Sequence, residues 1–217
     1  MKFVLVRHEQ GAVHMADGYA RATGKPAVVL VTSGPGAGNT ITGLMTAQMD
    51  SVPMIVLCGQ QVTWMLGKDA FQEADIFGTS MPVVKHNFLV RETNALPRIA
   101  REAFHIATTG RPGPVLIDVP KDVSQNPFSG DMDAEINLPG YNVDSSYTLD
   151  EENLDGIKRA AEIINNSKKP VILAGHGAMI SGAEEELMQL ATCLGCPVTS
   201  TLLGKGVFPE THDLSLG

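Results

Sequence analysis

The run Pro26-Ala-Val-Val-Leu-Val-Thr32 is dominated by β-branched and apolar residues. It stops at Ser33-Gly-Pro-Gly-Ala-Gly-Asn39, after which helical spacing takes over from Thr40 to Met49. An unbroken run of this kind reads as a strand buried on both faces, which is the situation of a parallel sheet covered by helices on both sides. The same grammar recurs at Val52 to Leu57, Val83 to Val90 and Val115 to Val119. Between the last two, Ala95 to Thr108 has the period of an amphipathic helix, with Leu96, Ile99, Ala100, Ala103, Phe104 and Ala107 expected inward. Counting Phe3 to Val6 as well, five strand-like runs alternate with helices. The predicted class is α/β, a mostly parallel sheet with helices on both faces.

In such sheets ligands collect where strands end. Phe3 to Val6 gives way at once to Arg7-His-Glu-Gln10, and Glu9 to Thr23 then reads as a helix with Gly24 as its C-terminal cap. Glu9 therefore stands at a strand-to-helix junction, where the helix N-terminus favours its ionised form. A capping glutamate would stand in the same place. In the loop 33–39, Gly34 and Gly36 allow backbone to approach a ligand closely, and the helix that follows presents free N–H groups. The loop is neither a dinucleotide fingerprint, since Pro35 and the early third glycine break the spacing, nor a Walker loop, since it lacks Gly-Lys-Ser/Thr. A tight structural turn remains the alternative. A third strand end carries Cys58-Gly-Gln-Gln61, followed by a stretch without period, Val62 to Gly78, of the length that functional loops have.

Twenty-four acidic against 16 basic residues leave a net charge of -8 with no Lys/Arg run, which excludes a nucleic-acid backbone as the expected partner. No apolar stretch approaches the ~20 residues of a membrane span, and the opening residues are too quickly charged for a signal peptide. The expectation is a cytoplasmic protein, or one of a plastid or other organelle stroma in a eukaryote. Three cysteines fit a reducing compartment. Cys193 and Cys196 have no second ligand pair for zinc, and Gly195-Cys196-Pro197 reads as a helix exit into a strand.

From Pro120 to Asp150 the chain turns rich in Asp, Asn, Ser, Gly and Pro, and βαβ grammar then resumes. A helix is expected over Leu154 to Asn165, a strand over Pro170 to Ala174 ending in Gly175-His-Gly177, a helix over Gly182 to Leu194 and a strand over Pro197 to Thr201. The expected division is 1–121 as the first domain, 122–150 as linker, and 151–217 as the first part of a second, Rossmann-like α/β domain. Two strands alone are too few to complete an open sheet.

Taken in order, Arg7-His-Glu-Gln-Gly11, Ala16-Asp-Gly-Tyr-Ala-Arg21, Thr32-Ser-Gly-Pro-Gly36, Asp50-Ser-Val-Pro53, Gly59-Gln60, Asp69-Ala-Phe-Gln-Glu73, Lys85-His-Asn87 and Gly110-Arg-Pro-Gly-Pro114 through Asp118-Val-Pro-Lys-Asp122 form a recognisable series. They resemble the pyrimidine-binding domain of thiamine-diphosphate enzymes, most closely the catalytic subunit of acetolactate (acetohydroxyacid) synthase. The resemblance runs on through Thr201-Leu-Leu-Gly204 and Leu214-Ser-Leu-Gly217 into that family's central, FAD-associated domain.

The resemblance implies a role for each matching position. Glu9 would hydrogen-bond N1′ of the cofactor's aminopyrimidine, with Gly34, Gly36 and Gln60 near the cofactor. Gln72 is implied as a catalytic-site residue, and Phe71 and Lys121 as lining the substrate channel. Ser51, Arg111, Gly175, Gly177, Thr201 and Leu202 match FAD-contacting positions; taken alone, Arg111 would also pass for a surface cation. Thr63 and Lys68 replace the family's usual proline and threonine, and His176 stands where a glycine is common. No Gly-Asp-Gly followed by Asn is present for Mg²⁺ and the diphosphate, so that cation is implied only through a third domain beyond this chain, and no metal ligand is expected within it.

The implied activity is decarboxylation of pyruvate and transfer of the two-carbon unit to a second small 2-oxo acid, in branched-chain amino-acid biosynthesis. A homodimer or larger assembly is implied, with a possible regulatory subunit. The alternatives are another thiamine-diphosphate-dependent 2-oxo acid decarboxylase or carboligase, and a non-catalytic partner subunit.

Overall fold

The computed structural model describes residues 3–136, 138, 141 and 151–217, without the side chains of 151 and 152. Of the stretch 122–150 expected as a linker, 137, 139, 140 and 142–150 lie outside them, while Asp122 to Gln125 are helical and Val123 is buried. The chain divides into two compact units, Met1–Ser145 and Ser146–Gly217.

The first unit is a four-stranded, wholly parallel sheet in the order β1-β2-β4-β3, from β1 (Ala27–Val31), β2 (Met54–Gln60), β3 (His86–Leu89) and β4 (Pro114–Pro120). Side chains alternate between two cores, as a period of two requires. Met54, Val56, Cys58 and Leu116 point to the layer of α1 (Glu9–Thr23) and α3 (Ile41–Met49). Ile55, Val115 and Ile117 point to the layer of α5 (Leu96–Thr108).

Helix α1 begins and ends where its sequence says. His8 is its extended N-cap and accepts from the Gln10 N–H through Nδ1, and Gly24 closes it in the left-handed conformation at φ 68°. A Cβ on Gly43 would come within 2.5 Å of a Val13 side-chain carbon, so this glycine sets how closely α3 lies on α1. Arg21 then fastens the pair, bonding Asp17 within α1 and Asp50, the C-cap of α3, at 2.6 Å.

Three expectations are corrected. Phe3 to Val6 is not a strand: it joins no ladder, and Phe3, Val4 and Leu5 are 79%, 62% and 99% exposed. Strand propensity cannot act without a neighbour to bond. Strand β1 is an edge strand open on one face, where Val28 and Leu30 are exposed. On α5, Phe104 faces outward and Ile106 inward, because the helix centres its stripe on Ile99, Ala103, Ile106 and Ala107. That stripe also buries Glu102, which pairs with Arg98 at 2.6 Å.

Three short helices complete this unit, α2 (Pro35–Gly38), α4 (Ile76–Ser80) and α6 (Lys121–Gln125). The second unit holds α7 (Glu151–Asn166), β5 (Ile172–Ala174), α8 (His176–Ile180), α9 (Glu184–Leu194) and β6 (Val198–Ser200). Strands β5 and β6 pair in parallel over a small core of Ala174, Ala191, Val198, Val207 and Phe208. Gly195 ends α9 at φ 58°, and the thiol of Cys196 is buried against the carbonyl of Pro170, whereas Cys193 is exposed. Among the described residues no helix is long and apolar enough to cross a membrane.

Candidate functional site

The carboxyl ends of β1 and β2 and the start of α1 converge. Glu9 is the first residue of α1, and its Oε2 accepts from Asn39 Nδ2 at 3.0 Å. That bond, then its own backbone N–H and nearby His8, hold the carboxyl below its ordinary range, so it is ionised at neutral pH. The second oxygen, Oε1, looks toward Gly36, where a Cβ would stand 3.5 Å away and also strike Thr32 at 2.6 Å. Gly34 adopts φ 59°, and a Cβ there would meet the Gln72 carbonyl oxygen at 2.7 Å. The glycine loop is thus pressed between a carboxylate and the backbone of the segment 61–75.

That segment is built, although its sequence has no period. Thr63 donates from N and Oγ1 to Asp122 at 2.9 and 2.6 Å, tying the loop to α6. Glu73 accepts from the N–H groups of Gly67 and Ala70, which lowers its pKa. Gln61 donates to the Phe71 carbonyl. Asp69 and Gln72 both sit at positive φ, 54° and 56°, a conformation costly for side-chain-bearing residues and retained where surroundings fix it. Phe71 is left 82% exposed, beside an exposed Gln72.

Beneath the loop, Gln60 is buried and its amide is spent internally. Its Nε2 donates to the Ala74 carbonyl at 2.9 Å and to Asp118 Oδ2 at 3.1 Å, and its Oε1 accepts from Gln61 N. Lys121 is exposed at the head of α6, where β4 ends at this same edge.

The remaining expected residues lie elsewhere. Ser51 and Arg111 stand at the opposite edge, just before β2 and β4, a strand length of roughly 20 Å away at ~3.3 Å per residue. They meet there: Arg111 Nε donates to Ser51 Oγ at 2.8 Å, and Nη2 to the carbonyls of Gln48 and Met49 at the end of α3. In the second unit Gly175 and Thr201 adjoin at the ends of β5 and β6, where Thr201 N donates to Ala174 O at 2.9 Å. Leu202 is exposed, and Gly177 lies within α8. Lys85-His-Asn87 is spent on structure. Lys85 donates to the carbonyls of Ile106 and Thr109, and Asn87 to Phe77 O and Ser80 Oγ.

Sequence reasoning missed Asn39 and Asp118. The signal for Asp118 was a charge inside the otherwise apolar run Val115 to Val119, which a buried strand must pair. For Asn39 there was only its place at the end of the glycine loop.

Two family models match the chain. Residues 1–79 match "Thiamine pyrophosphate enzyme, N-terminal TPP binding domain", and residues 157–217 match "Thiamine pyrophosphate enzyme, central domain". Over 219 residues the chain is 51% identical to the acetolactate synthase of Arthrospira platensis, covering 100% of this chain and 37% of that protein. It is 50% identical to the probable acetolactate synthase large subunit of Methanocaldococcus jannaschii, over 99% of this chain and 36% of the relative. With acetolactate synthase isozyme 3 large subunit of Escherichia coli it shares 48%, over 99% of this chain and 37% of the relative. The chain spans little more than a third of the length of these relatives.

Proposed function

Starting from a chain that carries the N-terminal and central domain sequence of the thiamine pyrophosphate enzymes, we propose that its protein is an acetolactate-synthase-type carboligase acting on pyruvate and a second small 2-oxo acid. The observation that carries the reading is the Glu9 carboxylate. It is ionised, oriented through one oxygen by Asn39, and faces with the other a glycine whose missing side chain leaves room.

An aminopyrimidine fits this arrangement. Glu9 Oε1 would accept a hydrogen bond from its ring N–H and so hold a proton there, while Gly34 and Gly36 admit the ring against backbone. Bound thiamine diphosphate supplies the carbon nucleophile and electron sink that decarboxylation of a 2-oxo acid demands. The carboxylate makes no bond to substrate. Phe71, Gln72 and Lys121, exposed at the same edge, are assigned to the substrate approach.

Finer assignments rest on the similarity. Flavin contact is proposed for Ser51 and Arg111 in the first unit and, separately, for Gly175, Gly177, Thr201 and Leu202 in the second. Mg²⁺ with the diphosphate is assigned to residues outside this chain. The relatives' designation as large subunits supports a small regulatory partner and self-association.

The test is acetolactate formation from pyruvate by the whole protein, with and without added thiamine diphosphate and Mg²⁺. Cofactor-dependent product is expected, with flavin absorbance in the purified protein. Decarboxylation without acetolactate would move the reading to another 2-oxo acid enzyme, and no turnover of any 2-oxo acid would leave a non-catalytic subunit.

A further inference from the structure

We infer that Asp118 is a positioning residue, which through Gln60 sets where the loop 61–75 stands over the Glu9 edge. The inference rests on the function proposed above for its bearing on catalysis, and on geometry alone for the coupling. Asp118 is 2% exposed near the end of β4, on the face that carries Cys58 of β2, its register partner. Its Oδ2 accepts from Gln60 Nε2, and its Oδ1 has no hydrogen-bond partner among the described residues. Gln60 passes the constraint on in two directions, to the Ala74 carbonyl at one end of the loop and to Gln61 N at the other. Two residues before Ala74, the Gln72 carbonyl abuts Gly34. One buried carboxyl thus bears, through Gln60 and Ala74, on the far end of a segment that carries Phe71 and Gln72.

A carboxyl with one bonded and one unbonded oxygen behaves differently in its two charge states. As the neutral acid it suits an apolar layer. As the anion it leaves a buried charge half-satisfied, next to the like charge of Asp75 at the head of α4, and the least costly relief is to admit water by displacing the loop. Burial, with a smaller push from Asp75 and against the Gln60 bond, raises Asp118 to about 7. The titratable groups coupled to it are Asp75 and the Cys58 thiol, itself pushed up to about 12 by burial and by Asp118.

The chain has one tryptophan, Trp64, and it lies in this loop, 63% exposed. Its emission, read in the whole protein as the difference from Trp64→Phe, with amide hydrogen exchange of residues 61–75, reports loop placement without any turnover. Expected is a single-proton step in emission and faster loop exchange as pH rises through about 7. Asp118→Asn should remove the step. Asp75→Asn, which keeps an acceptor to cap α4, should move the midpoint to lower pH. In the active protein the same titration should move KM for the 2-oxo acid more than kcat, and Asp118→Asn should flatten that profile. A flat emission profile in the unmodified protein, or an unchanged step in Asp118→Asn, overturns the inference. The step persisting in a protein that turns over no 2-oxo acid supports the coupling and counts only against the proposed function.

Discussion

The two edges of the four-stranded sheet use the same kinds of residue to opposite ends. At the edge before β2 and β4, the cations are spent on helix ends: Arg111 on the last carbonyls of α3, and Lys85 on Ile106 and Thr109 at the end of α5. These contacts cancel the negative pole of each helix and leave little chemistry free. At the edge where β1, β2 and β4 end, Glu9 sits on a helix start with one oxygen that accepts from no side chain among the described residues, and two glycines keep side chains out of the space around it. A motif residue can therefore be recognisable for what it closes as well as for what it binds. Only position on the sheet tells the two apart.

Substituting Glu9 is the strongest way to break this contrast. Glu9→Gln in the whole protein should lower acetolactate formation by about 100-fold or more, the scale of a lost proton-transfer partner. Its melting temperature should hardly move, because Glu9 is partly exposed and its N-cap is supplied by His8. A matching loss of stability would make Glu9 a helix-capping residue instead. Gly34→Ala tests the space rather than the charge. A Cβ at φ 59° and 2.7 Å from a backbone oxygen should cost roughly 2–3 kcal/mol in denaturant unfolding and weaken cofactor binding as well.

The pH dependence of stability comes next. Because Asp118 is raised to about 7 when folded, the stability it contributes is full below about pH 4, falls as pH climbs toward 7 and is level above. Against Asp118→Asn the difference across that window should be about 4 kcal/mol, and no slope between the two proteins would refute the assignment. The smallest effect belongs to the opposite edge. Arg111→Ala should cost about 1 kcal/mol through the uncapped end of α3, and leave thiamine diphosphate affinity as it was. A large loss of that affinity would join the two edges that the sheet keeps apart.

Much of this was legible in the residues. The span of α1 and its glycine stop follow from apolar spacing and a terminal glycine, β1 and β3 lie inside the runs read for them, and β2 and β4 overlap theirs but run on to Gln60 and from Pro114 to Pro120. Phe3 to Val6 was not, since pairing is a property of a neighbour and not of a run. At the site, Glu9 and its glycines were visible from their junction, because a strand end followed by a helix start is a local pattern. Asn39 and Asp118 were not singled out. Each acquires its role from a partner 30 or more positions away, at Glu9 and at Gln60. Arg111 read alone suggested a free cation, and only the carbonyls of α3 show how it is used.

The open face of β1 has a consequence for handling the chain. Its outer backbone edge is unpaired among the described residues, and Val28 and Leu30 stand exposed along it at 47% and 72%. An exposed, apolar edge strand is a template for another chain. Copies each carrying a net charge of -8 repel one another, and salt shortens the reach of that repulsion to about 8 Å at physiological ionic strength. Colloidal stability of this chain should therefore fall with added salt, reversing the usual advice for keeping a purified protein in solution.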